Sequence, residues 1–218
     1  FIIGFKYFKM NFYNSLVEKI RQTIDKEINK KIGKNVDIFL ESIFEEIKDK
    51  HKYEIFSGNY TPPKKDNPES DLALKLEKDI IFFENKNKYL TAQSFFGSDV
   101  EILKDLTLSF VFSQKQLFKH EINIKKYKKL VFDNKKELIY NNENIIKISV
   151  STNNWFNIMN NTTKNKLMEI VKLRFITENI KDNFSDANKC LNDLQNILKE
   201  ISQNKDFNMS ISLNQTLF

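Results

Sequence analysis

Two short apolar runs around a charged break constrain this chain most. Asp71–Leu76 and Ile80–Lys86 flank a turn near Glu77–Asp79, and the pattern fits a β-hairpin. Strand side chains alternate with period two, so Glu84 and Lys86 share a face. Pairing through a two- or four-residue turn sets Asp71 opposite Glu84 on that face, while Leu72, Leu74, Ile81 and Phe83 point the other way. Two carboxylates and one ammonium are therefore expected on a single patch.

That grouping suits phosphodiester hydrolysis. Carboxylate oxygens can hold Mg²⁺, a hard cation that keeps several of its waters. An adjacent Lys can orient the attacking water or stabilise charge developing on a phosphorane-like transition state. Two rival sets read differently. Glu46-Ile47-Lys48 falls in a helix, where positions i and i+2 diverge. Asp133-Asn134-Lys135, with Glu121 upstream as its partner, has the character of a turn between two strands. His51 and His120 lack metal-ligand spacing and are expected at the surface; two isolated histidines cannot supply the His-rich metal site of an HNH fold. The chain has no Gly-rich phosphate loop of the Walker type.

Along the chain, Ser15 and Glu18 form a capping box ahead of Leu16, Ile20, Ile24, Ile28 and Ile32, and Gly33 is expected to close that helix. A second helix is expected from about Val36 to Lys50, with Phe39, Leu40, Ile43, Phe44 and Ile47 on its inner face. Tyr53–Phe56 reads as a short strand, and Ser57 to Ser70, with Gly58, Pro62, Pro63 and Pro68, as a loop. Ser98 and Glu101 form another capping box, opening a helix through Val100, Leu103, Leu106 and Phe110. Lys129–Phe132, Glu137–Tyr140 and Ile145–Val150 read as strands. Helical stripes return from about Lys164, the second comprising Leu191, Leu194, Leu198 and Ile201.

The Asp71, Glu84-x-Lys86 spacing resembles the PD-(D/E)XK nuclease superfamily, which includes most type II restriction endonucleases. The resemblance covers roughly Val36 to Phe110. It makes Asp71 the first acid, Glu84 the second and Lys86 the lysine, with Mg²⁺ as cofactor. It also implies an α-β-β-β-α-β core, hence an α/β fold: a restriction-endonuclease-like mixed sheet flanked by helices, with additional N- and C-terminal helices. One departure stands out. Pro68 is followed by Glu69 rather than by the metal-binding Asp, and Glu69 has the strand parity of Asp71, so it is either an extra ligand or the true first acid. Glu41 or Glu45, on the preceding helix, is a candidate second carboxylate behind the site.

What the resemblance implies is a Mg²⁺-dependent endonuclease of double-stranded DNA, a type II restriction enzyme. A palindromic target matches a homodimer, one site per subunit, with the apolar C-terminal stripes as candidate interface. The alternatives are a structure-selective repair or junction nuclease and a non-catalytic DNA-binding protein. The net charge of +6 permits a polyanionic partner without requiring one. Lys64, Lys65 and Lys88 flank the proposed site. Lys125 and Lys126 begin the densest basic run, which reads equally as phosphate contacts or as a solvated loop. Asn153, Asn154 and Asn157 lie in a polar stretch around Trp155, which either reads adenine edges or anchors a loop on the core. Arg21 and Arg174 are the only arginines, and Arg is the usual reader of guanine, so an A·T-rich site is expected.

The remaining composition bounds the whole. With 218 residues, 40% hydrophobic and 29% charged, the chain is expected to form one globular domain, residues 1–218. Cys190 is the single cysteine, which excludes an internal disulfide, and it is expected to be a buried, inert thiol. Phe1–Phe5 is apolar but too short for a membrane span, and a cytoplasmic location without membrane contact is expected.

Overall fold

The computed structural model describes residues 12, 16, 19–20, 23–24, 27–63, 67–86, 88, 90–151, 184–203 and 216–217. Among these, helix α1 spans Ile28–His51 and is followed by strands β1 (Glu54–Thr61), β2 (Glu69–Lys75) and β3 (Asp79–Asn85). A helical turn, α2 (Ala92–Phe95), then leads into α3 (Asp99–Leu106), a π-helical segment (Thr107–Val111) and α4 (Phe112–Tyr127). Strands β4 (Lys129–Phe132), β5 (Glu137–Ile139) and β6 (Asn144–Val150), helix α5 (Ser185–Gln203) and the two-residue β7 (Thr216–Leu217) complete the elements. The architecture is α/β, with a mixed sheet in the order β5-β4-β1-β2-β3-β6-β7. Strands β1, β2 and β3 pair antiparallel, and β3 pairs parallel with β6.

The period-two alternation of the central strands splits the core into two layers. Leu72, Leu74 and Phe83 pack with Tyr53 and Ile55 under Leu40, Phe44 and Ile47 of α1. On the opposite face Ala73, Ile80 and Phe82 pack with Phe56, Tyr60 and Phe132 under Leu117 and Ile124 of α4. The expected helical stripe of α1 is narrower than read, because Phe39 and Ile43 are exposed. A third cluster joins Leu106, Val111 and Phe118 to Cys190, Leu191, Leu194 and Ile201 of α5. The α5 stripe is thus occupied within the chain, and Cys190 is buried, its thiol pushed up to about 11 by burial.

Several expected boundaries move. Gly33 does not end a helix; α1 runs through it and stops at Lys52, which takes a left-handed conformation and returns its N–H to Lys48 O at 3.0 Å. A mid-helix Gly costs about 1 kcal/mol against Ala but still makes its backbone hydrogen bonds, and its neighbours tolerate helix. Strand β1 continues past Phe56 to Thr61, and β2 starts at Glu69, so much of the expected Ser57–Ser70 loop is paired. Gly58, at φ +96°, absorbs the register shift between Phe56 and Gly58. Ser98 caps α3 as expected, its hydroxyl accepting from Glu101 N. Past α3 the apolar stripe passes to Val111 instead of Phe110, because the π segment adds a residue to the turn. The N-terminal helix read from Ser15 and the stripe from Lys164 lie largely outside the described residues. Among the described residues no helix is long and apolar enough to cross a membrane.

Candidate functional site

The hairpin forms around Glu77 and Lys78, with Leu76 N–H donating to Asp79 O at 2.8 Å. Its register, Leu72↔Phe83 and Leu74↔Ile81, continues outward to set Asp71 across from Glu84, the relationship expected from strand parity. Asn85 N–H donates to Asp71 Oδ2 at 2.7 Å. Glu84 is wholly buried, and its Oε2 lies 3.4 Å from Lys86 Nζ. Lys86 extends past the strand end, its Nζ 5.2 Å from the Phe112 ring centroid. The three residues named by the acid-x-Lys pattern therefore meet at one end of β2 and β3.

The electrostatics of this corner are those of a crowded acidic pair. Burial and the Glu84 charge push the Asp71 carboxyl up to about 7, opposed by Lys86 and by the Asn85 N–H. On the other face of the sheet Asp37 of α1 accepts from Asn85 Nδ2 at 2.9 Å, and burial raises its carboxyl as well. Among the described residues no three His, Cys, Asp or Glu side chains stand close enough together to hold a metal ion. Two carboxylates with mutual repulsion do fit Mg²⁺, which is commonly held by one or two carboxylates, its own waters and substrate phosphates. Asp71 and Glu84 are the residues that would hold it.

Glu69 does not join them. It begins β2 opposite Asn59 and is exposed, two residues and about 7 Å along the strand from Asp71. It lines instead a hollow of about 370 Å³ shared with Gln116, Lys119, His120, Asn123 and Lys126.

The largest correction concerns His120, which is 2% exposed rather than at the surface. Its Nε2 lies 2.8 Å from Glu84 Oε1 and its Nδ1 lies 2.6 Å from the Tyr60 hydroxyl. Asn123 Nδ2 donates to the same hydroxyl at 3.1 Å. The ring stacks on Phe82 with centroids 5.3 Å apart. A signal was present in the sequence: His120 stands three residues after Leu117 and four before Ile124, both buried on the sheet side of α4. The acid behind the hairpin is Asp37, one helical turn before Glu41; Glu41 instead accepts from Ser57 Oγ at 3.1 Å.

The expected DNA contacts are distributed unevenly. Lys88 pairs with the buried Asp105 at 3.2 Å, and Asp105 also accepts from Thr91 N and Ser94 Oγ, both at 2.7 Å. That cluster fastens the chain leaving β3 onto α3. Lys125 pairs with Glu121 at 2.8 Å, whereas Lys126 is exposed at the end of α4. Lys64, Lys65, Asn153, Asn154 and Asn157 lie outside the described residues. The rival set does not assemble: Asp133 sits in the turn between β4 and β5, and Glu121 is engaged by Lys125 and by Lys147, the latter at 2.6 Å.

No protein-family model, curated protein sequence or solved structure matches the chain.

Proposed function

We propose that the chain is a Mg²⁺-dependent endonuclease acting on double-stranded DNA, of the type II restriction kind. The observation that carries the reading is the convergence of Asp71, Glu84 and Lys86 at one corner of the hairpin, with Asp71 held near neutrality by burial and by Glu84. Mg²⁺ held there would polarise the scissile phosphate and make the attacking water more acidic. Asp71 and Glu84 would hold and orient it; the Asn85 N–H fixes one Asp71 oxygen so that the carboxylate cannot swing away. Lys86 places its ammonium beside Glu84, where it can orient the attacking water and offset charge gathering on the phosphate. The Lys86 ammonium lies over the Phe112 ring, which limits its sweep. Exposed Lys126 would contribute a phosphate contact.

A homodimer on a palindromic, A·T-rich site completes the proposal, since two symmetric subunits cut two strands and guanine-reading Arg is scarce. The test is digestion of mixed plasmid and of branched substrates with Mg²⁺, with the ends mapped and the mass of the DNA complex measured. Discrete ends within an A·T consensus and a two-subunit complex are expected. Cleavage confined to branched substrates would reassign the chain to junction processing. Absence of any metal-dependent cleavage would leave a DNA-binding protein at most.

A further inference from the structure

We infer that His120 is a positioning residue that holds Glu84 for a divalent cation, and that Tyr60 and Asn123 hold His120 in turn. The inference rests on the reading of Asp71 and Glu84 as a metal site.

Glu84 is a buried carboxylate on a side chain with several rotatable bonds, and burying such a charge without donors is costly. It has a donor on each oxygen: Lys86 at Oε2 and His120 at Oε1. Two donors on opposite oxygens fix the plane of the carboxylate, which one donor cannot do. Donor counting then sets the direction of the whole chain. A carboxylate only accepts, so His120 Nε2 carries the hydrogen directed at Glu84. The Asn123 amide donates to the Tyr60 oxygen, which leaves the phenolic hydrogen for His120 Nδ1. Every donor in the series Asn123, Tyr60, His120 therefore points towards Glu84.

The series also crosses the fold. Tyr60 comes from β1, Glu84 from β3, and His120 and Asn123 from α4. The imidazole is wedged between Phe82, stacked at 26°, and the Tyr60 ring at 61°. Its orientation is thus set by packing before any cation arrives, and Oε2 is left to face Lys86. Carboxylates that ligate metals are commonly fixed by such outer hydrogen bonds, whose loss weakens metal binding about 10–100-fold.

The test is Mn²⁺ titration of the metal-free full chain, followed by loss of the free-ion EPR signal, alongside thermal unfolding in EDTA. In wild type a bound ion is expected, and Glu84→Gln should remove it. His120→Leu, which keeps bulk but donates nothing, should weaken Mn²⁺ binding about 10–100-fold. His120→Gln, whose amide can occupy the Nε2 position, should retain most of the affinity. Tyr60→Phe keeps the ring and the fold and should show a smaller but measurable loss. A role in packing alone would lower the unfolding temperature while leaving Mn²⁺ affinity untouched. Unchanged affinity in folded His120→Leu would overturn the inference while the metal site stands; if that variant does not fold, unchanged affinity in Tyr60→Phe decides the same way. A Gln variant as weak as the Leu variant would reject the hydrogen bond as the agent. Wild type that takes up no Mn²⁺ would overturn both the inference and the metal-site reading.

Discussion

The main-chain N–H of Asn85 reaches across the hairpin to Asp71 Oδ2 at 2.7 Å, so the residue between Glu84 and Lys86 secures the carboxylate on the opposite strand. One local element thereby delivers three side chains and the bond that orients the first of them. Little is asked of long-range folding to bring the acids together, whereas β1 and α4 are needed to orient Glu84.

Asp71→Ala, Glu84→Ala and Lys86→Ala are each expected to reduce Mg²⁺-dependent plasmid cleavage by at least about 10²-fold. Duplex binding in Ca²⁺, followed by mobility shift, should be largely retained. Asp133→Ala, in the turn between β4 and β5, should cleave normally. Full activity in Glu84→Ala would remove the hairpin from consideration.

The Asp71 carboxyl gives a pH signature in the metal-free chain. Its folded value of about 7 lies above the ordinary 3.8, so between these values the folded state holds its proton more tightly. The contribution to stability is fully present below the ordinary value and is lost as pH rises through about 7. Asp71→Asn, neutral at every pH, should therefore match wild type near pH 4 and exceed it near pH 8, by about 1–3 kcal/mol for this partly exposed group. Unfolding curves in EDTA at the two pH values measure the gap. Added Mg²⁺ should narrow it, because only the ionised carboxylate binds the cation. A gap that does not change with pH would contradict the burial argument.

Lys147 is wholly buried on β6, 2.6 Å from Glu121. Burial works against both charges, yet Lys147 and Lys125 together hold the Glu121 carboxyl below its ordinary range. Glu121→Gln should leave the buried Lys147 ammonium without its carboxylate and cost about 3–5 kcal/mol in denaturant unfolding. The double variant Glu121→Leu with Lys147→Met should recover most of that loss. A single variant as stable as wild type would mean that the Lys147 ammonium finds other compensation.

How much of this was legible depends on the range of the interactions. Asp71 and Glu84 could be registered from sequence because the turn at Glu77 and Lys78 is short and fixes the pairing. His120 could not be placed with them: polar Lys119 and Glu121 flank it, and its partners lie 36 and 60 residues away. Lys147 and Ser149, polar residues on a strand, are likewise buried against α4, where Glu121, Ser113 and Gln114 supply partners far away in sequence. Alternation reveals that a strand has two faces, not which one the protein buries when both are covered by helices. Gly33 failed as a stop for a different reason. Helix ends are decided by the residues that leave the helix, and here Lys52 does so in a left-handed conformation without help from glycine.

The π-helical segment works as an angular spacer. Leu106 and Val111, five residues apart, face the same α5 cluster, and the hydroxyls of Thr107 and Ser109 donate to the carbonyls of Leu103 and Asp105, each at 2.8 Å. Each residue of a helix turns the chain by about 100°. Winding Thr107–Val111 as plain α-helix with every residue kept would rotate α4 against α3 by about that angle. Leu106 could then keep its seat on α5, or His120 its bond to Glu84, but one helix could not keep both. An added residue should therefore be far more damaging here than the loss of one with a return to α-winding, a sensitivity usually associated with gears rather than with packing.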